Sequence, residues 1–231
     1  MIARPSLSSD PHRGGTLHTA GVSLDRATAA MVMIHGRGAT ASSILSLAEE
    51  LDRRDVAYLA PQAAGNTWYP NTFLASIPEN EPYLSSALGV VAGLLEHLAG
   101  GGIPPERTIL LGFSQGACLA LEFAARNAQC YAGVVGLSGG LIGPDGTPRD
   151  YAGALAGTPI FLGCSDVDAH IPATRVLESA DVLRRLGGDV DVRLYPGMGH
   201  TVNGDEIAAV RDMLARLPPT SDTGGQRGQS S

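Results

Sequence analysis

Three residue types capable of nucleophilic catalysis occur along this chain in a telling order: Ser114, then Asp166 and Asp168, then His200. A serine hydroxyl is a weak nucleophile at neutral pH. It needs a base to take its proton and a third group to orient that base. Ser114 sits in Gly112-Phe-Ser-Gln-Gly116, after the apolar run Thr108-Ile-Leu-Leu111 and before the helical pattern Ala117-Cys-Leu-Ala-Leu-Glu-Phe-Ala-Ala125. That pattern predicts strand, sharp turn, helix. The flanking residues must be glycine because a Cβ there would meet facing backbone. The serine is then lifted off the sheet at a helix N-terminus, where developing negative charge is favoured.

The base candidate is His200, in the glycine-rich loop Tyr195-Pro-Gly-Met-Gly-His200, between a strand and a helix. Such a loop at a strand's C-terminal end lets a side chain reach across to the serine. His170 is a competing histidine, read as a polar residue lining the mouth of the cleft. The acid is Asp166 or Asp168, both in the loop after the strand 159–164. The residue that does not orient the histidine is free to cap the next helix or hold the loop.

An oxyanion needs two backbone N–H donors. One belongs to Gln115, after the serine. The other falls on Arg37 in His35-Gly-Arg-Gly38, following the apolar strand Ala29–Ile34. The Arg37 side chain can reach an acidic group of a substrate or pair at the surface. His35 reads as a loop-stabilising residue. Trp68, Tyr69 and Phe73 concentrate the aromatics in the irregular stretch 61–82, and are candidates for a substrate pocket or for packing on the sheet edge.

The elements around these residues alternate. Strands are predicted near 16–24, 29–34, 56–60, 108–111, 131–137, 159–164 and 190–195, and helices over 39–54, 83–98, 117–125, 172–186 and 203–217. This order implies βαβ units, a mainly parallel sheet and helices on both faces. The 231 residues suit one domain, expected over 15–217, with a loose lead-in at 1–14 and a disordered Gly/Ser-rich tail at 218–231.

Composition excludes several functions. The net charge of −7 argues against nucleic acid and anionic membranes. There is no lysine, so P-loop, Schiff-base and Ser-x-x-Lys chemistry are ruled out. Cys118, Cys130 and Cys164 have neither disulfide nor zinc spacing, and paired metal ligands are lacking. No cofactor and no metal are expected. With no disulfide framework, a reducing cytoplasm is the simplest compartment; the N-terminus lacks the apolar core of a signal peptide, and no stretch reads as long and apolar enough to span a bilayer.

The chain resembles the phospholipase/carboxylesterase branch of the α/β-hydrolases, which includes bacterial carboxylesterases and acyl-protein thioesterases. The resemblance runs through Met33-Ile-His-Gly-Arg-Gly-Ala39, Leu59-Ala-Pro-Gln62, Gly112–Gly116, Leu137-Ser-Gly-Gly140, Gly163–Pro172 and Gly197–His200. It implies an α/β-hydrolase fold with a seven- or eight-stranded sheet, little or no cap domain, and hydrolysis of small-molecule esters or thioesters. The family's acid stands three residues before an apolar residue followed by proline, which selects Asp168. A homodimer would suit the branch. The chain departs from the family pattern at Ser165, where glycine is common. It departs again at Arg37, where many thioesterases have leucine, and its aromatic loop 65–82 looks more like that of bacterial esterases; both favour a short- to medium-chain carboxylesterase over a protein thioesterase. A lysophospholipase or acyl-protein thioesterase is the near alternative, and a non-catalytic hydrolase-fold binding protein the distant one.

Overall fold

The computed structural model describes residues 10–217. Its centre is Ala29–Ile34 (β2), a strand with no polar residue and every side chain buried. Burial on both faces is what a continuous apolar run predicts. Alternate residues of β2 feed different layers. Ala30, Val32 and Ile34 join one core cluster, and Ala29, Met31 and Met33 join the other.

Among the described residues seven strands form one sheet: Leu17–Gly21 (β1), β2, Val56–Pro61 (β3), Thr108–Phe113 (β4), Gly133–Leu137 (β5), Pro159–Ser165 (β6) and Asp189–Tyr195 (β7). Their spatial order is β1-β3-β2-β4-β5-β6-β7. Only the β1–β3 pairing is antiparallel. This is the mainly parallel sheet expected of an α/β-hydrolase. The chain moves outward from β2 to β3, then returns to place β4 on the other side of β2. That reversal opens a crevice beyond the C-terminal ends of β2 and β4, where ligands bind in such sheets.

The helices are Ala41–Leu45 (α1), Leu47–Leu51 (α2), Ile77–Asn80 (α3), Tyr83–Gly100 (α4), Gln115–Arg126 (α5), Ala173–Arg185 (α6) and Gly204–Ala215 (α7). Helices α4, α5 and α6 cover one face, with Leu95, Leu119 and Val182 in the first cluster. Helices α1, α2 and α7 cover the other, with Ile44, Leu51 and Val210 in the second. The predicted single helix over 39–54 is divided at Ser46, whose hydroxyl donates to the Ser43 carbonyl at 2.8 Å. Such back-bonding by serine weakens a helix locally.

Two expectations need correction. The lead-in is not loose over its described part. His12 is buried, its N–H donates to Ser86 Oγ at 2.9 Å, and its ring spans Trp68 O (2.9 Å) and the Ala64 N–H (3.1 Å). These partners fix residues 10–14 against the aromatic loop; residues 1–9 and the predicted tail at 218–231 lie outside the described residues. Second, α4 does have the length and composition to cross a membrane, with 18 residues and a mean hydropathy of 1.2. Its stripe Leu84, Ala87, Val91, Leu95 and Leu98 is already buried in the core at helical spacing.

At the start of α7, Asn203 caps the helix, and Glu206 completes a capping box by accepting from the Asn203 N–H. The other Glu206 oxygen, Oε1, is buried without a hydrogen-bond partner and occupies the space a Cβ on Gly163 would need. Burial, only partly offset by the Asn203 bond, pushes the carboxyl up to about 7. Between the ordinary carboxyl value and this one, the unfolded chain ionises while the folded chain keeps its proton. The fold therefore loses stability as pH rises through that window. Glu206→Gln removes this cost, so the variant's melting temperature relative to wild type should be higher at pH 8 than at pH 5 in thermal unfolding.

Candidate active site

Ser114 follows β4 and serves as N-cap of α5, with φ 55° and ψ −119°. A non-glycine residue in this region stores on the order of 1–3 kcal/mol of strain. The neighbours make the turn possible. A Cβ on Gly112 would stand 2.2 Å from the Gly116 carbonyl oxygen, and one on Gly116 would stand 2.1 Å from the Ile34 carbonyl oxygen. The Ser114 N–H donates to Leu137 O at 2.9 Å, tying the turn to the end of β5.

The loop after β7 brings His200 to this serine. Its Nε2 lies 2.8 Å from Ser114 Oγ, and its Nδ1 lies 2.6 Å from Asp168 Oδ2. The carboxylate side sets the tautomer: Nδ1–H donates to Asp168, leaving Nε2 to accept the serine proton. Asp168 Oδ1 accepts the N–H groups of His170 (2.8 Å) and Ile171 (3.1 Å). The side chain is fully shielded from solvent. Burial pushes its carboxyl upward, but His200 and the two backbone donors outweigh burial and leave it below the usual range. Asp166 does something else. Its Oδ1 accepts the Gly197 N–H at 2.8 Å, fastening the histidine loop to the acid loop.

The loop after β2 runs beside Ser114: a Cβ on Gly36 would lie 3.3 Å from Ser114 Cβ. His35 is buried and shapes this loop. Its Nδ1 donates to Gly36 O (2.8 Å), its Nε2 accepts from the Ala63 N–H (3.1 Å), and its carbonyl accepts from Trp68 Nε1 (2.9 Å). Burial lowers its pKa, in keeping with a neutral ring that accepts a backbone proton.

Arg37 and Gln115 line the cleft together with Ser114, and their side chains have partners of their own. The Arg37 guanidinium donates to the carbonyls of Tyr69 (2.9 Å), Pro70 (2.8 Å) and Asn71. This answers the open question about that side chain: its partners are in the aromatic loop. The Gln115 amide accepts from the Trp68 N–H (2.9 Å) and donates to Tyr69 O (2.8 Å). Both residues therefore clamp loop 68–71 onto the serine turn.

The cleft in front of Ser114 has a volume of about 300 Å³. Tyr69 and Phe73 line it, together with Thr72, Cys118, His170 and Ile171. Trp68 does not, which corrects the expectation for that residue. It is fully buried, and its indole N–H is spent on the His35 carbonyl. A tryptophan in an irregular loop gives no sequence signal for which side it faces. Cys118 and Ile171 escaped notice because their apolar contexts read as core. Burial pushes the Cys118 and Cys164 thiols up to about 12, so neither offers a thiolate at neutral pH.

A serine, histidine and aspartate linked in this way at the crevice of a mainly parallel sheet form the arrangement that serine hydrolases use. Residues 22–217 match the profile of the phospholipase/carboxylesterase family, and the chain belongs to that family. It is 42% identical to a phospholipase/carboxylesterase from Dyadobacter fermentans, with a TM-score of 0.84, covering 87% of this chain and 97% of that one. It is 28% identical to acyl-protein thioesterase 1 of Neurospora crassa, covering 88% of this chain and 93% of that protein. A further similarity, at 28% identity, is to acyl-protein thioesterase 1 of Saccharomyces cerevisiae, over 80% of this chain and 91% of that protein. The chain is thus a hydrolase of the esterase class.

The close approach at Gly116 can be tested directly. Gly116→Ala forces its methyl group against the Ile34 carbonyl, a backbone neighbour that cannot swing aside. Overpacking of this kind typically costs about 1–3 kcal/mol. Urea unfolding should report a loss of that order, together with a disproportionate loss of esterase turnover.

Proposed function

We propose that this chain hydrolyses short- to medium-chain carboxylic esters through an acyl-enzyme on Ser114. The observation that carries the reading is the unbroken hydrogen-bond chain from Ser114 Oγ through His200 to Asp168. His200 takes the Ser114 proton as Oγ bonds to the acyl carbon. The N–H groups of Gln115 and Arg37 hold the oxyanion, each worth about 2.7–4 kcal/mol in the transition state. His200 then gives its proton to the leaving oxygen as the ester C–O bond breaks. Water then bonds to the acyl carbon as it loses a proton to His200; the Oγ–acyl bond breaks, His200 returns that proton to Ser114 Oγ, and the acid leaves. Asp168 keeps the imidazole in the tautomer this requires and stabilises the imidazolium.

The cleft volume of about 300 Å³ supports a short acyl group, since it lies at the bottom of the usual range for ligand pockets, roughly 300–1,000 Å³. Tyr69, Phe73 and Ile171 wall it in. The second reading, cleavage of long-chain thioesters, is favoured by the relatives named acyl-protein thioesterase 1. Both readings use the same serine, histidine and aspartate; they differ in acyl length and in whether the leaving atom is oxygen or sulfur.

Initial rates on p-nitrophenyl esters from acetyl to palmitoyl separate them. Turnover is expected to peak at the short end; a maximum at palmitoyl would move the assignment to the thioesterase reading. Ser114→Ala should lower kcat by on the order of 10⁶ by analogy with triad deletions, and near-wild-type turnover in that variant would sink the mechanism. Asp168→Asn, which keeps the shape but permits the wrong histidine tautomer, should lower kcat by about 10⁴.

A further inference from the structure

His200 borders two cavities. One is the cleft in front of Ser114, which also contains Gln115. The other has a volume of about 430 Å³, lies against the loop after β2, and shares His200 alone with the cleft. Its lining includes His35, Ile44, Leu47, Phe113, Val202 and His200. The Phe113 and His200 rings stand 5.1 Å apart. No carboxylate and no guanidinium lines it, and the exposed hydroxyl-bearing residues Ser43 and Thr201 stand at its edge.

We propose that this second cavity is a leaving-group subsite, taking the apolar alcohol portion of the ester. The proposal rests on the serine-esterase reading and adds to it which half of the substrate goes where. The acyl carbon must bond to Ser114 Oγ while its oxygen faces the Gln115 N–H, so the acyl half belongs to the cleft that contains both residues. The leaving oxygen must instead receive its proton from His200 Nε2. The group attached to that oxygen therefore emerges on the histidine's side of the reaction. The cavity there contains His200 but not Ser114. Its aliphatic and aromatic walls suit an alkyl or aryl group and repel a charged one. The bond changes are those of ordinary acylation. The Ser114 Oγ–acyl bond forms, the ester C–O bond breaks, and the Ser114 proton passes through His200 to the alcohol, which departs through this cavity.

The substrate's two halves can be varied separately. Acetates of methanol, butanol and hexanol change only the leaving group, and alkanols of this series have similar intrinsic reactivity. Methyl esters of acetic, butyric and hexanoic acid change only the acyl group. Wild type should show kcat/KM rising from methyl to hexyl acetate; a flat alcohol series would overturn the proposal. Leu47→Asp places a charge in the wall, and Leu47→Trp fills the cavity without one. In each, the hexyl-to-methyl ratio within the acetates should fall about tenfold or more, the scale of losing apolar contacts in a specificity pocket. The hexanoate-to-acetate ratio among methyl esters should stay within about twofold of wild type. An unchanged alcohol ratio in both variants would refute the subsite. A change in the acyl ratio instead would mean that the acyl chain occupies this cavity. If Leu47→Asp does not fold, Leu47→Trp carries the test alone. Ser114→Ala assayed on the same esters keeps the two ideas apart: retained turnover defeats the serine mechanism, whereas its loss beside an unaltered alcohol ratio in the Leu47 variants defeats only the subsite.

Discussion

A Cβ on Gly116 would meet the carbonyl oxygen of Ile34 at 2.1 Å and that of His35 at 2.6 Å. The N-terminus of α5 is therefore pressed directly onto the C-terminal end of β2, backbone to backbone. Everything at the site depends on that contact. It brings the loop after β2 beside Ser114, which itself stands in a strained conformation. The sheet order makes the contact possible, because β2 and β4 are neighbours although β3 lies between them in sequence. The crevice at the reversal is where both loops end.

A second layer of constraint comes from hydrogen bonds to one loop. Residues 68–71 receive Arg37 and Gln115 from the serine side. His12 and His35 hold Trp68 from behind through its carbonyl and its indole. Most of these bonds satisfy backbone groups of a loop that has no regular structure to satisfy them. A buried irregular segment would otherwise leave donors and acceptors unpaired at about 1–3 kcal/mol each. The wall of the cleft and the residues Arg37 and Gln115 are thus parts of one bonded unit. A change in the Arg37 or Gln115 side chain acts on the shape of the cleft as well as on the position of the backbone N–H.

The strands and the order serine, aspartate, histidine were legible because they are written locally: an apolar run, a pair of glycines, a loop between two patterned segments. Ala29–Ile34 reads as a buried strand from its composition alone, and the structure places the strand on those residues. What the sequence leaves open depends on which distant segments meet. Trp68, Tyr69 and Phe73 share one irregular stretch, yet Trp68 faces the core while the other two face the cleft. His12 looks like part of a polar terminus until Trp68, Ala64 and Ser86 surround it. The stripe on α4 raises its hydropathy to a membrane-like level, and only the packed sheet shows why a domain helix needs it. Similarly, Arg37 could have met a substrate or solvent. Its actual partners are carbonyls 32 to 34 positions away, beyond any local pattern.

Asp168 and Glu206 show how the same burial is turned to opposite ends. Both side chains are shut away from solvent at the same end of the molecule, and burial alone pushes both carboxyls up. Asp168 sits in a loop whose backbone N–H groups at His170 and Ile171 point inward, and it also faces the His200 ring. Glu206 accepts from the Asn203 N–H on one oxygen and has no hydrogen-bond partner for the other. Donors decide the sign. Three of them carry the Asp168 carboxyl below its usual range, while one leaves Glu206 at about 7. An acid that must orient a histidine has to stay ionised as the imidazole gains its proton. Of these two carboxyls, only the one supplied with inward backbone donors meets that requirement, and the loop 166–172 is the segment whose folding supplies them.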